Sequence, residues 1–578
     1  MLKTLKKVFY CPIACILFAI YPLLRLWSYN WEEAFAQELI FLLVISTIGS
    51  FILYNLFLFL LQEKQKATLG TLLFLIMFSS FEWFFFHEDS LFLYLNQIKV
   101  FDYTIFGYET LLSLWVLIFL TLMFFVFKTS KKIKIINNLL TIAACILVLT
   151  TIIRLSPFIK LKIYPYIYDY ATTEHKHVFE NKQLDKVIPK KDLKEGYLPD
   201  IYYIILDGYA RADILKVFYD HDTKEFTGFL KNNGFFIADK SCTNYSFTLH
   251  SIPSSINMSY IPFDEHETLS HASFQRGAQQ IQTLIRNPKF RNLYEFLCNS
   301  DLIFFLKKQG YFFINIAGDS FTARLKNFDI TLNQPQFSLG PFTNMFVNKT
   351  FLGPLVNNTK TFKNLYDFFV PDKNIITSGQ LSSLKNVPKI IKEKGKPTFT
   401  FCHILTPHHP YTFDENGNIV QKPNRKVPYE EFKKQYINEI KGINKKAQKV
   451  VETILRKSKR PPVIIIQADH GTASYKEYFE TGHGLYSDAL VKERMTILNA
   501  YHIPGKGNEL LNNQVTPVNS FRIVLNYLFN TNLPILTDKC HFMTLADFDN
   551  NKQFVTYSAE EINKMDIVEM AKKTIIIK

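Results

Sequence analysis

The sequence predicts a bundle of five membrane-spanning helices followed by an α/β domain with a mostly parallel central sheet. Hydrophobic residues make up 48% of the 578-residue chain and are concentrated before about residue 155. Beyond residue 200, short apolar runs alternate with helical stretches, as in a parallel sheet covered by helices. We therefore predict a transmembrane domain at 1–155, a juxtamembrane linker at 156–199 and a large second domain at 200–578.

The membrane bundle is predicted from apolar stretches that are each close to the ~20 residues needed to cross a bilayer as a helix. These stretches are residues 8–24, 39–61, 67–86, 110–127 and 135–153. No small-residue cleavage site follows the first stretch, so we interpret it as a retained span rather than a signal peptide.

The distribution of charged residues in the short loops predicts the orientation of the bundle. Lysines precede the first span and occupy the loops after the second and fourth spans, whereas the other loops are mainly acidic. Positively charged loops remain on the cytoplasmic side of a membrane. Five spans therefore place the second domain outside the cytoplasm.

The chain carries a formal net charge of +15. This charge indicates either a solvated basic surface or attraction to anionic lipid headgroups or an anionic substrate. Basic clusters interleaved with stacking aromatic residues do not occur, which argues against nucleic acid as a partner.

Seven cysteines occur in the chain, without the Cys-x-x-Cys spacing of a zinc knuckle or a thioredoxin. Those of the second domain are Cys242, Cys298, Cys402 and Cys540. Some of these four could pair outside the cytoplasm, but the sequence does not give their connectivity.

The parallel sheet is predicted from apolar runs with the length and composition of buried strands, namely Ile201–Leu206, Phe312–Ile316, Thr398–Ile404 and Val463–Gln467. Helices are predicted between them, for example at 301–308 and 429–456. Active sites of open α/β sheets form at the carboxyl ends of the strands. Polar residues at those ends are therefore the candidates for chemistry.

Aspartates and histidines lie at several of these strand ends. Asp207 follows the first strand, and Asp469 and His470 follow the last. Further histidines are His403, His408 and His409 in CHILTPHHPYTFD, and His483 in ETGHGLY. One such Asp would be interpreted as a turn or helix cap, but together these are the ligand types that Zn²⁺ and Mn²⁺ prefer.

Thr248 lies in the segment SCTNYSFTLHSIPSSINMSY, where a helix could begin. A hydroxyl at that position would lie beside backbone N–H groups at the positive end of the helix dipole. Two interpretations stay open. Thr248 is either a simple N-cap or, beside a metal that lowers its pKa, a nucleophile.

Together these motifs resemble the alkaline phosphatase superfamily, in its sulfatase-like branch. That branch includes sulfatases, lipoteichoic acid synthases and lipid A phosphoethanolamine transferases. The last two groups place five membrane helices before an extracytoplasmic catalytic domain, as this chain does. The resemblance covers most of residues 200–535 and implies an alkaline-phosphatase-like (sulfatase) fold with one or two divalent metal ions, Zn²⁺ or Mn²⁺.

The resemblance also implies roles for individual residues. It implies a metal site formed by Asp207, Thr248, Asp469 and His470. Thr248 matches the nucleophile, because Thr-Leu-His-Ser-Ile-Pro is similar to the Thr-x-x-Ser-x-Pro run of the transferases, and Ser246 is the alternative nucleophile.

His408 and His483 match histidines that contact the substrate or a second metal. His403 and His409 are further candidates, with His403 also interpretable as a core or supporting residue.

The leading hypothesis is a bacterial inner-membrane enzyme that transfers a phospholipid headgroup to an envelope glycan or lipid through a phospho-threonine. Phosphoethanolamine and phosphoglycerol are the headgroups that the resemblance implies. The sulfatase signature Cys-x-Pro-x-Arg is absent, and Asp207 stands where the transferases usually have Glu. The alternatives are a phosphate or sulfate ester hydrolase and a non-catalytic envelope scaffold. The sequence leaves the donor, the acceptor and the oligomeric state open.

Overall fold

The structure is a computed structural model of the full chain. It describes residues 12–30, 36–86, 99–100, 103–104, 108–128, 133–163, 198–261, 296–318 (except 299), 325–333 (except 326), 341–362 (except 360), 373–474 (except 410, 412, 419 and 421–428), 486–547 (except 546) and 553–566.

The helices and strands are numbered here in chain order. The helices are α1 (Ile13–Asn30), α2 (Ala36–Leu61), α3 (Lys64–Phe86), α4 (Tyr108–Lys128), α5 (Ile133–Ile163), α6 (Ala212–Tyr219), α7 (Lys224–Asn232), α8 (Thr248–Asn257), α9 (Asp301–Lys308), α10 (Pro341–Asn348), α11 (Leu352–Asn358), α12 (Lys373–Lys394), α13 (Tyr429–Lys457), α14 (Asp488–Met495), α15 (Pro517–Phe529) and α16 (Ala559–Lys564). The strands are β1 (Lys99–Val100), β2 (Tyr103–Thr104), β3 (Ile201–Leu206), β4 (Phe236–Ile237), β5 (Phe312–Ile316), β6 (Ile330–Leu332), β7 (Thr398–Ile404), β8 (Val463–Gln467), β9 (Asn499–His502), β10 (Lys539–Phe542) and β11 (Val555–Ser558).

The chain divides into two compact units. The first contains Met1–Glu174 and Pro335–Pro371, and the second contains His175–Gln334 and Asp372–Lys578. The segment 335–371 lies within the sequence of the predicted second domain, yet it belongs to the first unit. The first unit is therefore formed by two segments that are far apart in the sequence.

The first unit contains the helices α1 to α5, which coincide with the predicted apolar stretches. Of the helices that the structure describes, three are long and apolar enough to cross a membrane, namely Glu38–Leu61, Leu111–Lys128 and Ile133–Arg154. Ile13–Ser28 of α1 is a shorter apolar helix. That α1 and α3 also cross the membrane stays a prediction. Helix α5 ends at Ile163, inside the predicted linker, and residues 164–197 lie outside the described residues.

The inserted helices α10 and α11 pack against this bundle through aromatic side chains. Phe351 lies edge-on to Phe78 with ring centroids 5.0 Å apart, and Phe346 lies 6.5 Å from the same ring. Phe342 is buried in one cluster with Leu23 and other leucines of α1 and α2. Burial of these side chains against the helices explains why the insertion belongs to the first unit.

The second unit is built on a seven-stranded sheet with the order β4-β9-β8-β3-β7-β5-β6. Strands β8, β3, β7, β5 and β6 are parallel, whereas β9 runs antiparallel to β8 and to β4. The four predicted strands form its centre in the order β8-β3-β7-β5, and the mostly parallel sheet is confirmed. The sequence analysis missed β4, β6 and β9, because strands of two to four residues carry too short an apolar pattern.

Helices cover both faces of this sheet. Successive strand residues point to opposite faces, so Tyr202, Ile204 and Leu206 of β3 pack in one cluster with residues of α12 and α13. Ile201, Tyr203 and Ile205 pack instead with residues of α8, α9 and α15. The sheet is therefore the middle layer of three, and strand β3 is buried on both sides.

A buried polar network lies in the second of these cores, at the end of β8. Gln467 accepts a hydrogen bond from the Tyr203 hydroxyl at 2.7 Å and donates to Asn499 Oδ1 at 2.9 Å and to Ser520 Oγ at 3.1 Å. The Gln467 side chain is 1% exposed. Buried amide groups must find partners, so this network fixes the last residue of β8, two positions before Asp469.

We predict that Gln467→Leu lowers the free energy of unfolding by about 2 kcal/mol, because it leaves buried hydroxyl and amide groups without this partner. Thermal unfolding of the full-length protein in detergent measures the effect. The control is Gln514→Leu, at a half-buried position outside the network. Equal melting temperatures for the two variants would contradict the prediction.

Candidate functional site

The ends of three adjacent strands bring the candidate residues together. Parallel pairing aligns Ile205 of β3 with His403 of β7 on one side and with Gln467 of β8 on the other. Asp207 lies two residues after Ile205, and Asp469 lies two residues after Gln467. The carboxyl ends of these strands therefore place both aspartates at one edge of the sheet, as the sequence predicts.

Asp207, Asp469 and His470 form a compact cluster of possible metal ligands. One ligand atom from each lies within 4.8 Å of the others. His470 Nε2 lies 3.5 Å from Asp207 Oδ1 and 3.4 Å from Asp469 Oδ2. All three residues are buried. Two buried carboxylates and an imidazole at this spacing form a site suited to a cation.

The hydroxyl of Thr248 completes this cluster. Thr248 Oγ1 donates to Asp469 Oδ2 at 2.6 Å and lies 3.1 Å from His470 Nε2. Thr248 is the first residue of α8, and the N-cap position belongs to Phe247, which forms no side-chain cap. The N-cap interpretation of Thr248 is therefore wrong, because its hydroxyl bonds to Asp469 rather than to the backbone of its own helix.

The protonation of His470 suits a metal ligand. Its Nδ1 lies 2.9 Å from the Gly471 carbonyl oxygen and is assigned as the donor, which leaves the lone pair of Nε2 facing the two aspartates. Burial, together with the charge of Arg494, lowers the pKa of His470 to about 4. The imidazole is therefore neutral at pH 7, as metal binding requires.

Asp207 is an anion with incomplete hydrogen bonding. Burial opposes its ionisation, but the nearby His408 and a hydrogen bond from His403 outweigh this and hold the pKa of Asp207 well below its usual range. His403 Nε2 lies 3.2 Å from Asp207 Oδ2. Oδ1 is buried and accepts no hydrogen bond within the described part of the chain. A buried, charged oxygen without a hydrogen-bond donor is destabilised, and a bound cation would compensate for the missing donor.

These observations fit a divalent cation. Asp207, Asp469, His470 and Thr248 provide two carboxylates, an imidazole and a hydroxyl, and none of the described residues donates to Asp207 Oδ1. Oxygen and imidazole donors are typical of zinc and manganese sites. His403 Nε2 lies 3.2 Å from Asp207 Oδ2, a contact that agrees with the supporting interpretation of His403, which stays a prediction.

Several residues that the sequence analysis did not single out hold the cluster in place. The Asp469 carbonyl accepts from Thr243 Oγ1 at 2.5 Å and from Ser251 Oγ at 2.6 Å, and Asp469 Oδ1 accepts from Gly208 N at 3.2 Å. The run of small polar residues around Thr248 is the signal that could have indicated Thr243 and Ser251.

Arg494 joins the two loops that carry the cluster. The buried Arg494 donates from Nε to the Ser246 carbonyl at 2.9 Å and from Nη1 to the Gly471 carbonyl at 3.0 Å. One guanidinium therefore holds the segment before Thr248 against the segment after His470. Nothing in the local sequence of α14 indicates this role.

The remaining predicted residues lie around the cluster or outside the described residues. His408 is exposed, and its ring centroid lies 6.0 Å from that of His470. His409 packs edge-on to Tyr411 at 5.5 Å. Ser246 is fully buried, and its hydroxyl donates to the Met543 carbonyl at 2.9 Å and accepts from Met543 N at 3.1 Å. His483 lies outside the described residues.

Comparison with known proteins gives similarity at the level of solved structures. No protein-family model and no curated protein sequence matches the chain. The integral membrane lipooligosaccharide phosphoethanolamine transferase A from Neisseria meningitidis is 12% identical over 90% of this chain and 97% of that chain, with a TM-score of 0.35.

Two further solved structures are similar to part of this chain. The C-terminal periplasmic domain of EptC from Escherichia coli, in complex with zinc, is 12% identical over 58% of this chain and 83% of that chain, with a TM-score of 0.36. The YidJ protein from Bacteroides fragilis, described as a candidate sulfatase, is 12% identical over 68% of this chain and 94% of that chain, with a TM-score of 0.39. Because the TM-scores are low, the roles of individual residues depend on the contacts described above.

We predict that Asp469→Asn lowers bound Zn²⁺ or Mn²⁺ at least about 10-fold, because it removes one ligand charge while keeping the shape of the side chain. Elemental analysis of the full-length protein after dialysis against buffered metal measures this. Asp329→Asn is the control, since Asp329 accepts a hydrogen bond from Phe313 N away from the cluster. The same metal content in both variants would disprove the assignment.

We predict that Gly471→Ala destabilises the protein by about 2 kcal/mol or more through overpacking. A Cβ atom at this position would lie 2.1 Å from the Glu493 carbonyl oxygen and 2.9 Å from that of Thr496. A lower melting temperature than that of Gly228→Ala is expected, because nothing lies within 4 Å of a Cβ at Gly228. If both variants melt like the unmodified protein, the nearby carbonyl oxygens do not require a glycine at position 471.

Proposed function

We propose that this protein is a membrane-anchored, metal-dependent phosphotransferase that uses Thr248 as its nucleophile. The observation that carries the proposal is the position of the Thr248 hydroxyl, 2.6 Å from Asp469 Oδ2 and 3.1 Å from His470 Nε2 at the start of a buried helix. A nucleophile in a phosphoryl or sulfuryl transfer needs an acceptor for its proton and positive charge near the oxygens of the reacting group.

In the proposed first step, Thr248 Oγ1 attacks the phosphorus of a phospholipid headgroup. A bond forms between Oγ1 and phosphorus, and the bond between phosphorus and the lipid oxygen breaks. The proton of Thr248 leaves to solvent, because the Asp469 carboxylate that accepts its hydrogen bond would also hold the ion, and the released lipid oxygen takes a proton from solvent. Backbone N–H groups at the start of α8 orient the phosphate oxygens.

Asp207, Asp469, His470 and Thr248 would hold a divalent ion, which when bound supplies positive charge that favours the Thr248 alkoxide and offsets the charge of the phosphate. The residues support Zn²⁺ or Mn²⁺ as the ion. The exposed His408, whose ring centroid lies 6.0 Å from that of His470, would contact the substrate phosphate or hold a second ion, and the sequence resemblance implies the same choice for His483.

In the second step, a hydroxyl of an envelope glycan or lipid attacks the phospho-threonine and releases Thr248. The apolar helices of the first unit support a lipid as the donor, because they keep the chain at a membrane where headgroups are concentrated. The charge pattern of the loops supports an extracytoplasmic position for the second unit, with the helices of the first unit in a bacterial inner membrane. Phosphoethanolamine and phosphoglycerol are proposed as headgroups from the sequence resemblance.

We predict that incubation of the full-length, metal-loaded protein with a phospholipid donor yields a covalent phosphoryl-headgroup adduct on Thr248. Peptide mass spectrometry detects the adduct. Thr248→Ala should abolish it and lower transfer by roughly three orders of magnitude, because no other hydroxyl occupies that position. Thr248→Ser should retain part of the activity.

Ser246→Ala is the matched control, because the Ser246 hydroxyl bonds to the Met543 backbone instead of the cluster. This variant should keep the adduct. An adduct that persists in Thr248→Ala and disappears in Ser246→Ala would transfer the nucleophile role to Ser246. Donor consumption with water as the sole acceptor would assign the site to a hydrolase instead.

A further inference from the structure

Two buried cysteines of the second unit have free thiols in this structure and lie in one core cluster. Cys242 and Cys540 are both 0% exposed and belong to one small core cluster with Phe542 and residues of α14 and α16. The other cysteines of the second unit, Cys298 and Cys402, lie in the two large cores that flank the sheet. The proposed transfer reaction uses neither Cys242 nor Cys540.

Backbone hydrogen bonds hold the two chain segments side by side. His541 N donates to the Asn244 carbonyl at 2.8 Å, and Ser246 N donates to the His541 carbonyl at 3.2 Å. Asn244 Nδ2 also donates to the Lys539 carbonyl at 2.9 Å. These bonds flank Tyr245 and His541, which form a parallel bridge. The register between the segments is therefore fixed by the backbone on either side of Cys540.

The two thiols also interact electrostatically. The proximity of Cys540, together with the guanidinium of Arg211, lowers the pKa of Cys242, whose Sγ donates to the Lys240 carbonyl at 3.9 Å. The proximity of Cys242 and burial raise the pKa of Cys540. Arg211 is held in place by Asp213 at 2.8 Å and by the Ser241 carbonyl at 3.0 Å.

We propose that Cys242 and Cys540 form a disulfide bond in the mature protein. During folding, before the pair is buried, the Cys242 thiolate attacks a disulfide-bearing oxidant of the extracytoplasmic compartment. A mixed disulfide forms and the first oxidant thiol leaves. The Cys540 thiolate then attacks the Cys242 sulfur, which releases the second oxidant thiol. The two protons lost by the cysteines end on the two oxidant thiols.

This bond would join the segment that leads to Thr248 to the β10–β11 hairpin, which the described chain otherwise connects through noncovalent contacts such as those of Ser246 with Met543. It closes a loop of about 300 residues, a length at which a crosslink strongly restricts the unfolded chain. The crosslink would therefore stabilise the loop that positions the nucleophile. This inference depends on the extracytoplasmic location of the second unit and not on the transfer reaction.

Non-reducing peptide mapping tests the proposal. Full-length protein isolated from membranes is denatured with iodoacetamide present and digested with trypsin. The expected result is a linked pair of peptides, 241–276 and 540–552, each of which contains one cysteine. Peptide 292–307, which contains Cys298, serves as the internal control and should be alkylated. Separate alkylation of Cys242 and Cys540 would overturn the proposal, whatever the outcome of the Thr248 experiments.

Reduction gives a second, independent measurement. A phosphine reductant should lower the melting temperature of the full-length protein by about 5 °C. The double variant C242A/C540A should show no such shift, whereas Cys298→Ala should shift like the unmodified protein. A reductant effect of equal size in C242A/C540A would show that another pair is responsible and would overturn the assignment.

Discussion

The parallel pairing of β3 with β7 and β8 is the interaction on which the candidate site depends. It sets the ends of three strands level with one another, and it places Asp207 and Asp469 at one edge although 261 residues separate them in the chain. Burial of β3 on both faces fixes this register, because a shift of one residue would turn every core side chain to the wrong layer. The chemistry of the site thus depends on the packing of the sheet.

Concentrating two carboxylates in a buried cluster has an electrostatic cost that the protein residues offset in part. Backbone and side-chain donors around Asp469 stabilise one carboxylate, and His403 and His408 stabilise the other. The remaining buried oxygen of Asp207 and the neutral imidazole of His470 favour an additional cation. The excess negative charge of the two carboxylates would destabilise an empty cluster, and the same charge makes the cluster selective for a cation.

A second set of contacts positions Thr248, the proposed nucleophile, without contacting its hydroxyl. Arg494 joins the loop before Thr248 to the loop after His470, and the absence of a side chain at Gly471 lets the backbone of α14 approach. The proposed Cys242–Cys540 bond would act on the same loop from its other side. Preorganisation by rigid supports of this kind holds reactive groups in a productive geometry.

The sequence by itself determined the apolar helices, the four central strands with their bounds, and the strand-end residues Asp207, Asp469 and His470. These features are local, since they depend on runs of apolar residues and on the residue that follows them. Only the tertiary structure decided that segment 335–371 belongs with the membrane helices, that Thr248 bonds to Asp469 rather than capping its helix, and that Arg494, Thr243 and Ser251 support the cluster. Those outcomes depend on contacts between residues far apart in the chain, and such contacts leave no periodic pattern for the sequence to show.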